Sequence, residues 1–321
     1  AEQSRSSNLK RFGLITTNSI SQVRQRGVID FHLKNETPIR LISVIPDHPW
    51  SDNGAAVRIA MTVSEIDIPT IYNLCKVGEV TKEIDTEISQ QLDDSVSILW
   101  KNASRIFSDL SIGVDTTSAR QLKANSDLSS TGVKLHGSGF ILTRDEAIDM
   151  GYGRRDGIKS INNQVIKKYK NGRDIAGVDR DVFVIDFDDL PQDRASIYVE
   201  PYQRVLELVK PERDINRDRQ RRENWWLFGR SNRQLRQSLA GLSRYIATVE
   251  TAKHRVFLFL DNDVVPDNKL IAIALNDSYW LGLLSSMVHV SWALTCGSQL
   301  GPTPVHPKSI CFDPFPFPDS T

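Results

Sequence analysis

Residues 223–260 read E-N-W-W-L-F-G-R-S-N-R-Q-L-R-Q-S-L-A-G-L-S-R-Y-I-A-T-V-E-T-A-K-H-R-V-F-L-F-L, and no other stretch constrains the chain as much. Leu235, Leu239, Leu242, Ile246 and Val249 recur at spacings of 4, 3, 4 and 3. That periodicity predicts one amphipathic helix over residues 231–249. Arg233, Gln237, Ala240 and Arg244 share the opposite face, with Arg236 to one side. Arg230 precedes this segment, and Lys253-His254-Arg255 follow it before an apolar strand. A guanidinium offers a planar fork of donors that fits phosphate oxygens or the major-groove edge of guanine. Phosphate or base contact by at least two of these cations is therefore expected. The plainer reading is a solvated helix face. Trp225 and Trp226 could stack on bases. Adjacent side chains diverge, however, and core packing is the favoured role for this pair.

Charge is segregated along the chain although Lys+Arg and Asp+Glu each number 40. Residues 201–260 carry 13 basic against 6 acidic side chains, and residues 151–180 carry 8 against 3. Residues 61–120 carry 5 basic against 10 acidic, and residues 181–200 carry 1 against 6. Two basic blocks in one half of the chain could form one basic surface, or each could be balanced by an acidic neighbour. A second basic segment, Lys167-Lys168-Tyr169-Lys170-Asn171-Gly172-Arg173, reads as a tight hairpin turn, whose flanking Lys170 and Arg173 could enter a groove or belong to a solvated loop.

With 321 residues, the chain is long enough for two ordinary domains. No apolar run is long enough for a membrane span, and residues 1–10 lack an apolar signal core. Cys75, Cys296 and Cys311 are widely spaced, which fits a reducing, cytoplasmic setting and gives no zinc or disulfide signature.

Strands are expected at residues 9–20, 39–45 and 56–63, with a short helix over 20–26 and a Pro46/Pro49/Trp50/Gly54 loop between the second and third strands. A helix is expected near 96–109 and a strand hairpin within 125–143. Thr143 and Glu146 have the spacing of a capping box. Residues 164–190 read strand, turn, strand, and residues 201–222 read as charged helix. Beyond 260, a helical stretch is expected from Pro266 to Leu275, then a buried helix over 278–294. The tail C-F-D-P-F-P-F-P is expected to be extended and packed through its phenylalanines, because prolines remove backbone donors.

The histidines form no metal-binding spacing, and His289 sits in an apolar run that suits a satisfied core histidine. G-Y-G-R-R-D-G at 151–157 reads as a loop, and D-F-D-D-L at 186–190 as a strand end with solvated carboxylates, without the partner motif of a metal-dependent nuclease.

Seven segments, in order, resemble the C-terminal half of adenine-N6 DNA methyltransferases of the MmeI-like type IIG restriction–modification family. They include R-F-G-L-I-T-T-N-S-I-S-Q at 11–22, the 39–63 hairpin, S-S-T-G-V-K-L-H-G-S-G-F-I-L-T-R-D-E-A at 129–147 and K-Y-K-N-G-R-D-I at 168–175. The W-W to K-H-R-V-F block, L-G-L-L-S-S-M-V-H-V-S-W at 281–292 and C-F-D-P-F-P-F-P at 311–318 complete the series. The resemblance implies an α/β fold: terminal strands of a Rossmann-like methyltransferase sheet over 1–64, a connecting region over 65–124, and a mixed α/β target recognition domain over 125–321. It also implies methyl transfer from S-adenosylmethionine to adenine in duplex DNA by the whole protein.

The family's cofactor loop, F-x-G-x-G, and its N-P-P-Y or N-P-P-F motif do not occur in these residues. The chain is therefore expected to be a fragment whose catalytic N-terminal part lies elsewhere, so that it binds double-stranded DNA but neither S-adenosylmethionine nor a metal. Lys170, Arg173, Arg230, Arg233, Arg236, Arg244, Lys253 and Arg255 are the expected DNA contacts. Thr17, Asn18 and Ser19 would border the catalytic pocket. A protein-interaction module with a basic face and, more distantly, a nuclease are the competing readings.

Overall fold

The computed structural model describes residues 1–6, 8–22, 25–52, 55–67, 74–81, 97–112, 119–300 and 303–318. The chain divides into two compact units, Ala1–Ala119 and Arg120–Thr321.

The first unit opens with a short helix α1 (Glu2–Ser6) and strand β1 (Arg11–Thr17). Residues 23 and 24 of the helix expected over 20–26 lie outside the described set; on either side, a 3-10 turn occupies Asn18–Ser21 and α2 spans Gly27–Leu33. Strands β2 (Ile39–Asp52) and β3 (Ala55–Ile66) form an antiparallel hairpin, and β1 pairs with the far side of β3. Pro46, Pro49 and Trp50 of the expected loop are part of β2, and Gly54 lies outside the described residues. Register shifts between Leu41 and Ser43 and between Ile45 and His48 absorb the extra residues, so Pro46 sits in a bulge where no ladder donor is needed. β4 (Cys75–Val80) joins β2 in parallel, and β5 (Ile98–Ala103) closes the order β1-β3-β2-β4-β5. β5 replaces the helix expected near 96–109, whose first residue lies outside the described set. Its register sets Trp100 opposite Gly78, which leaves room for the indole. Leu41, Val44, Ala60, Val77, Ile106 and Leu110 form the core of this unit.

The second unit holds two four-stranded sheets. Strand β6 (Ser129–Thr131) is followed by β7 (Ile141–Leu142), and the two do not form the expected hairpin, since each pairs with a distant strand. Helix α3 (Arg144–Met150) starts at the Thr143/Glu146 capping box, which is fully formed. β8 (Ile166–Lys170) and β9 (Val182–Ile185) pair antiparallel. A one-turn helix α4 (Gly172–Ala176), with Asn171 and Asp174 as its own capping box, stands where the tight turn was expected. Helices α5 (Gln192–Ala195), α6 (Val199–Leu208), α7 (Lys210–Asp214) and α8 (Arg219–Glu223) follow.

The predicted 231–249 helix is split. Helix α9 covers Arg233–Leu239, the chain turns at Gly241 with φ +82°, and Arg244–Val249 is strand β10. β10 is a central strand: Tyr245 and Ala247 pack in one apolar cluster and Ile246 in another. A strand buried on both faces loses the apolar–polar alternation of a half-exposed strand and can imitate helical spacing. The same reasoning applies to residues 266–275. After β11 (Phe257–Asp261), the chain forms β12 (Val265–Pro266) and β13 (Leu270–Ile273), not a helix, and β13 is buried at all four positions.

The sheets run β11-β10-β13-β6 and β12-β8-β9-β7. Helices α10 (Ser278–Ser285) and α11 (Met287–Cys296) replace the single helix expected over 278–294, broken where Ser286 caps the second. His289 is fully buried; its Nδ1 meets the Leu284 carbonyl at 3.0 Å, while Nε2 has no partner among the described residues.

After a small hairpin, a single π-helical turn (Lys308–Phe312) leads into the extended tail. Phe312 and Phe315 are buried, and Phe317 packs beside them. Asn125 Nδ2 donates to the carbonyls of Phe312, Asp313 and Phe315 at 3.3, 2.9 and 2.8 Å. Trp225 and Trp226 are core residues at 5% and 7% exposure, and Trp226 Nε1 donates to the Leu190 carbonyl at 2.8 Å.

Candidate nucleic-acid interface

The acidic block after β9 lies against the arginines of α9. Asn232, in a left-handed conformation that asparagine tolerates, caps α9 and donates to Ser130 Oγ at 2.9 Å. One turn on, Arg236 reaches Asp186 with two parallel bonds, Nη1–Oδ2 at 2.9 Å and Nη2–Oδ1 at 3.0 Å, and its Nε lies 3.0 Å from Asp188. The Asp186 side chain is 1% exposed, so this carboxylate is not the solvated strand end that D-F-D-D-L suggested. Its charge is neutralised within the fold, as a buried carboxylate requires. Burial also raises the pKa of Asp188, with Arg236 opposing the shift.

The other predicted contacts separate by what their side chains touch. Arg233 is exposed and pairs with Asp189 at 2.8 Å. Arg244 stacks 3.7 Å over the Phe259 ring and donates to the Asn276 carbonyl. Arg255 bonds Thr248 Oγ1 at 3.1 Å and the Val249 carbonyl, and burial lowers its pKa. Lys170 is paired with Asp179. Arg173, Arg230 and Lys253 are exposed, and no side-chain partner engages them among the described residues. In the first unit, Thr17 Oγ1 and Ser19 Oγ bond each other at 2.7 Å, and Asn18 Nδ2 donates to Asp47 at 3.0 Å.

Arg230 and Arg233 open onto a groove of about 480 Å³ between α8 and the 228–233 turn. Arg213 and Arg221 complete its cationic lining, and Gln220 and Asn224 supply amides. Asp218 caps α8 by accepting from Gln220 N at 3.0 Å and pairs with Arg221 at 3.2 Å. Arg213 and Arg221 were not singled out from sequence. The charge-dense run R-D-I-N-R-D-R-Q-R-R at 213–222 was their only signal, and it reads equally well as solvated helix. Among the described residues, no group of three or more His, Cys, Asp or Glu could hold a metal ion, and no helix is long and apolar enough to cross a membrane.

The second unit is a mixed α/β fold that carries a polar, arginine-lined groove. Residues 115–319 match the family model described as MmeI, target recognition domain, and the chain belongs to that family. Among solved structures, the Type IIL restriction–modification enzyme MmeI in complex with DNA shares the fold at a TM-score of 0.73 and 17% identity. The match covers 99% of this chain and 40% of that one, so the chain spans less than half the length of the solved relative. A search of curated proteins returns no match.

Proposed function

We propose that this chain reads a specific duplex DNA sequence within a site-specific adenine-N6 DNA methyltransferase of a restriction–modification system. The observation that carries this reading is membership of the MmeI target recognition family over residues 115–319. The exposed, unpartnered cations Arg173, Arg230 and Lys253 support it, because phosphate contacts need side chains that the fold has not already neutralised.

S-adenosylmethionine is the methyl donor of that chemistry. The residues present do not fit it: Thr17, Asn18 and Ser19 are engaged with one another and with Asp47, and no F-x-G-x-G loop occurs in the chain. We assign cofactor binding and the reacting groups to the part of the protein outside these residues.

Fluorescence anisotropy with a library of duplexes, with heparin as a non-specific polyanion, tests the reading. Preference for one duplex over others and over heparin is expected. Equal binding to all would overturn sequence recognition and favour a general basic interaction surface. Calorimetry with S-adenosylmethionine is expected to show no uptake by this chain.

A further inference from the structure

Among the described residues Arg213 is the most buried arginine or lysine, at 1% exposure, and it has no carboxylate in salt-bridge contact. Its Nε donates to the His136 carbonyl at 3.1 Å, and its Nη2 donates to those of Leu135 and Leu227 at 3.0 and 3.3 Å. Nη1 has no acceptor among the described residues. Its direct partners are carbonyl dipoles, with Glu212 and Asp218 acting only from a distance, so the buried charge is incompletely compensated. Burial lowers the Arg213 pKa, and the like charge of Arg221 lowers it further.

Arg213 forms part of the wall of the α8 groove, together with Arg221, Arg230 and Arg233. Two of these hold weak, exchangeable surface pairs: Arg221 with Asp218 at 3.2 Å and Arg233 with Asp189 at 2.8 Å. Arg230 holds none. His136 lies beside the groove. Its ring abuts Gly229 of the groove wall. Partial desolvation, then Arg221, Arg213 and Lys134, keep its pKa below the ordinary imidazole value. Four arginines and two aspartates, Asp189 and Asp218, line the groove, so its formal charge is net positive and suits an anion.

We infer that this groove is a phosphate site for the DNA backbone, with Arg221 and Arg230 gripping one phosphodiester and Arg213 supplying fixed positive charge behind them. Several guanidinium forks around one cavity suit the tetrahedral oxygens of phosphate. The inference rests on the DNA-reading function proposed above and adds to it a contact that positions the duplex without reading it. A phosphate contact acts equally on every sequence and contributes about one unit to the slope of log K against log salt.

The test uses the full 321-residue chain and its Arg221→Ala, Arg230→Ala and double variants, with Arg230→Lys as the charge-retaining control. Binding of preferred and scrambled duplexes is measured across a salt series. In parallel, the His136 imidazole is titrated by NMR with and without inorganic phosphate. Each alanine variant is expected to lose about tenfold in affinity on both duplexes and about one unit of salt slope, with Arg230→Lys keeping most of both. Phosphate is expected to raise the His136 pKa in the parent chain and not in the double variant. If the parent chain binds DNA and the variants match its affinity and slope, the groove is not the phosphate site, and the DNA-reading function stands. If no duplex binds but phosphate still moves His136 in an arginine-dependent way, the assignment to DNA falls. If neither response occurs, both proposals fall.

Discussion

Arg236 holds Asp186 through two parallel bonds of 2.9 and 3.0 Å, and this pair joins α9 to the end of β9. An arginine that reads in sequence as a nucleic-acid contact thus has a structural partner. Arg236→Ala would leave Asp186 as a buried, uncompensated charge, at an expected cost of about 3–5 kcal/mol. Arg233→Ala removes only a solvent-exposed pair and is expected to cost less than about 1 kcal/mol. Urea denaturation of the two variants checks the contrast. Similar losses in both would show that the Asp186 pair has no special structural weight.

Arg173 and Lys253 should behave in the opposite way. Both are exposed without side-chain partners, so Arg173→Ala and Lys253→Ala are expected to leave the melting temperature within a degree or two while weakening DNA binding. Arg255→Ala, by contrast, vacates a half-buried site bonded to Thr248 and Val249 and should lower the melting temperature first. Differential scanning fluorimetry alongside a salt-dependent binding series separates the two kinds of arginine.

His289 and His306 give the second unit a pH dependence. Burial, with the charge of Arg255 acting in the same direction, holds His289 at about 4 and His306 at about 3. Each is depressed below its unfolded value of about 6.5, so the unfolded chain binds more protons as the solution is acidified. The folded state therefore keeps its full advantage above pH 6.5 and loses it as pH falls toward 4 and then 3. The slope is at most about 1.4 kcal/mol per pH unit for each histidine. His306→Phe should flatten the acid limb, since neither ring nitrogen has a partner among the described residues. Chemical denaturation at pH 7.5, 6 and 5 measures the slope; an unchanged slope in the variant would assign the acid sensitivity to other groups.

Gly229→Ala should damage the groove without altering any charge. A Cβ there would lie 2.3 Å from the His136 ring, whose backbone already has φ +52°. Displacing His136 also disturbs the carbonyl that accepts from Arg213 Nε. A loss of about 1–3 kcal/mol in stability is expected, with weaker DNA binding. Parent-like stability with parent-like binding would show that the loop can move at no cost.

Local chemistry was legible where it is self-contained. Thr143 and Glu146 satisfy each other within one turn, and the charged run over 201–222 is helical because neighbouring residues decide it. The burial of Trp225 and Trp226 follows from their size. Residues 244–249 and 270–273 were misread for one physical reason: strands covered on both faces lose their alternation, and only partners far along the chain reveal them. The strand at 98–103 likewise depends on β4 for its pairing. Charge was the least legible property. Whether an arginine faces solvent or a carboxylate depends on contacts such as Arg236–Asp186, fifty residues apart. Arg213, which lines the groove from below, is hidden in sequence because its acceptors are main-chain carbonyls.

The three bonds from Asn125 to the tail close the second unit into a loop in the topological sense: its first turn grips its last residues. Leu122 N adds a fourth tie to the Asp313 carbonyl, and Ser129 Oγ meets the Asp313 carboxylate at 3.2 Å. A segment clasped at both ends is a natural unit of exchange between proteins. Junctions placed outside the clasp would carry the groove and its sheets across intact, whereas a junction inside it would leave Asn125 facing carbonyls of a foreign tail. New reading specificities built by swapping this unit should therefore succeed or fail first on whether both ends of the clasp travel together.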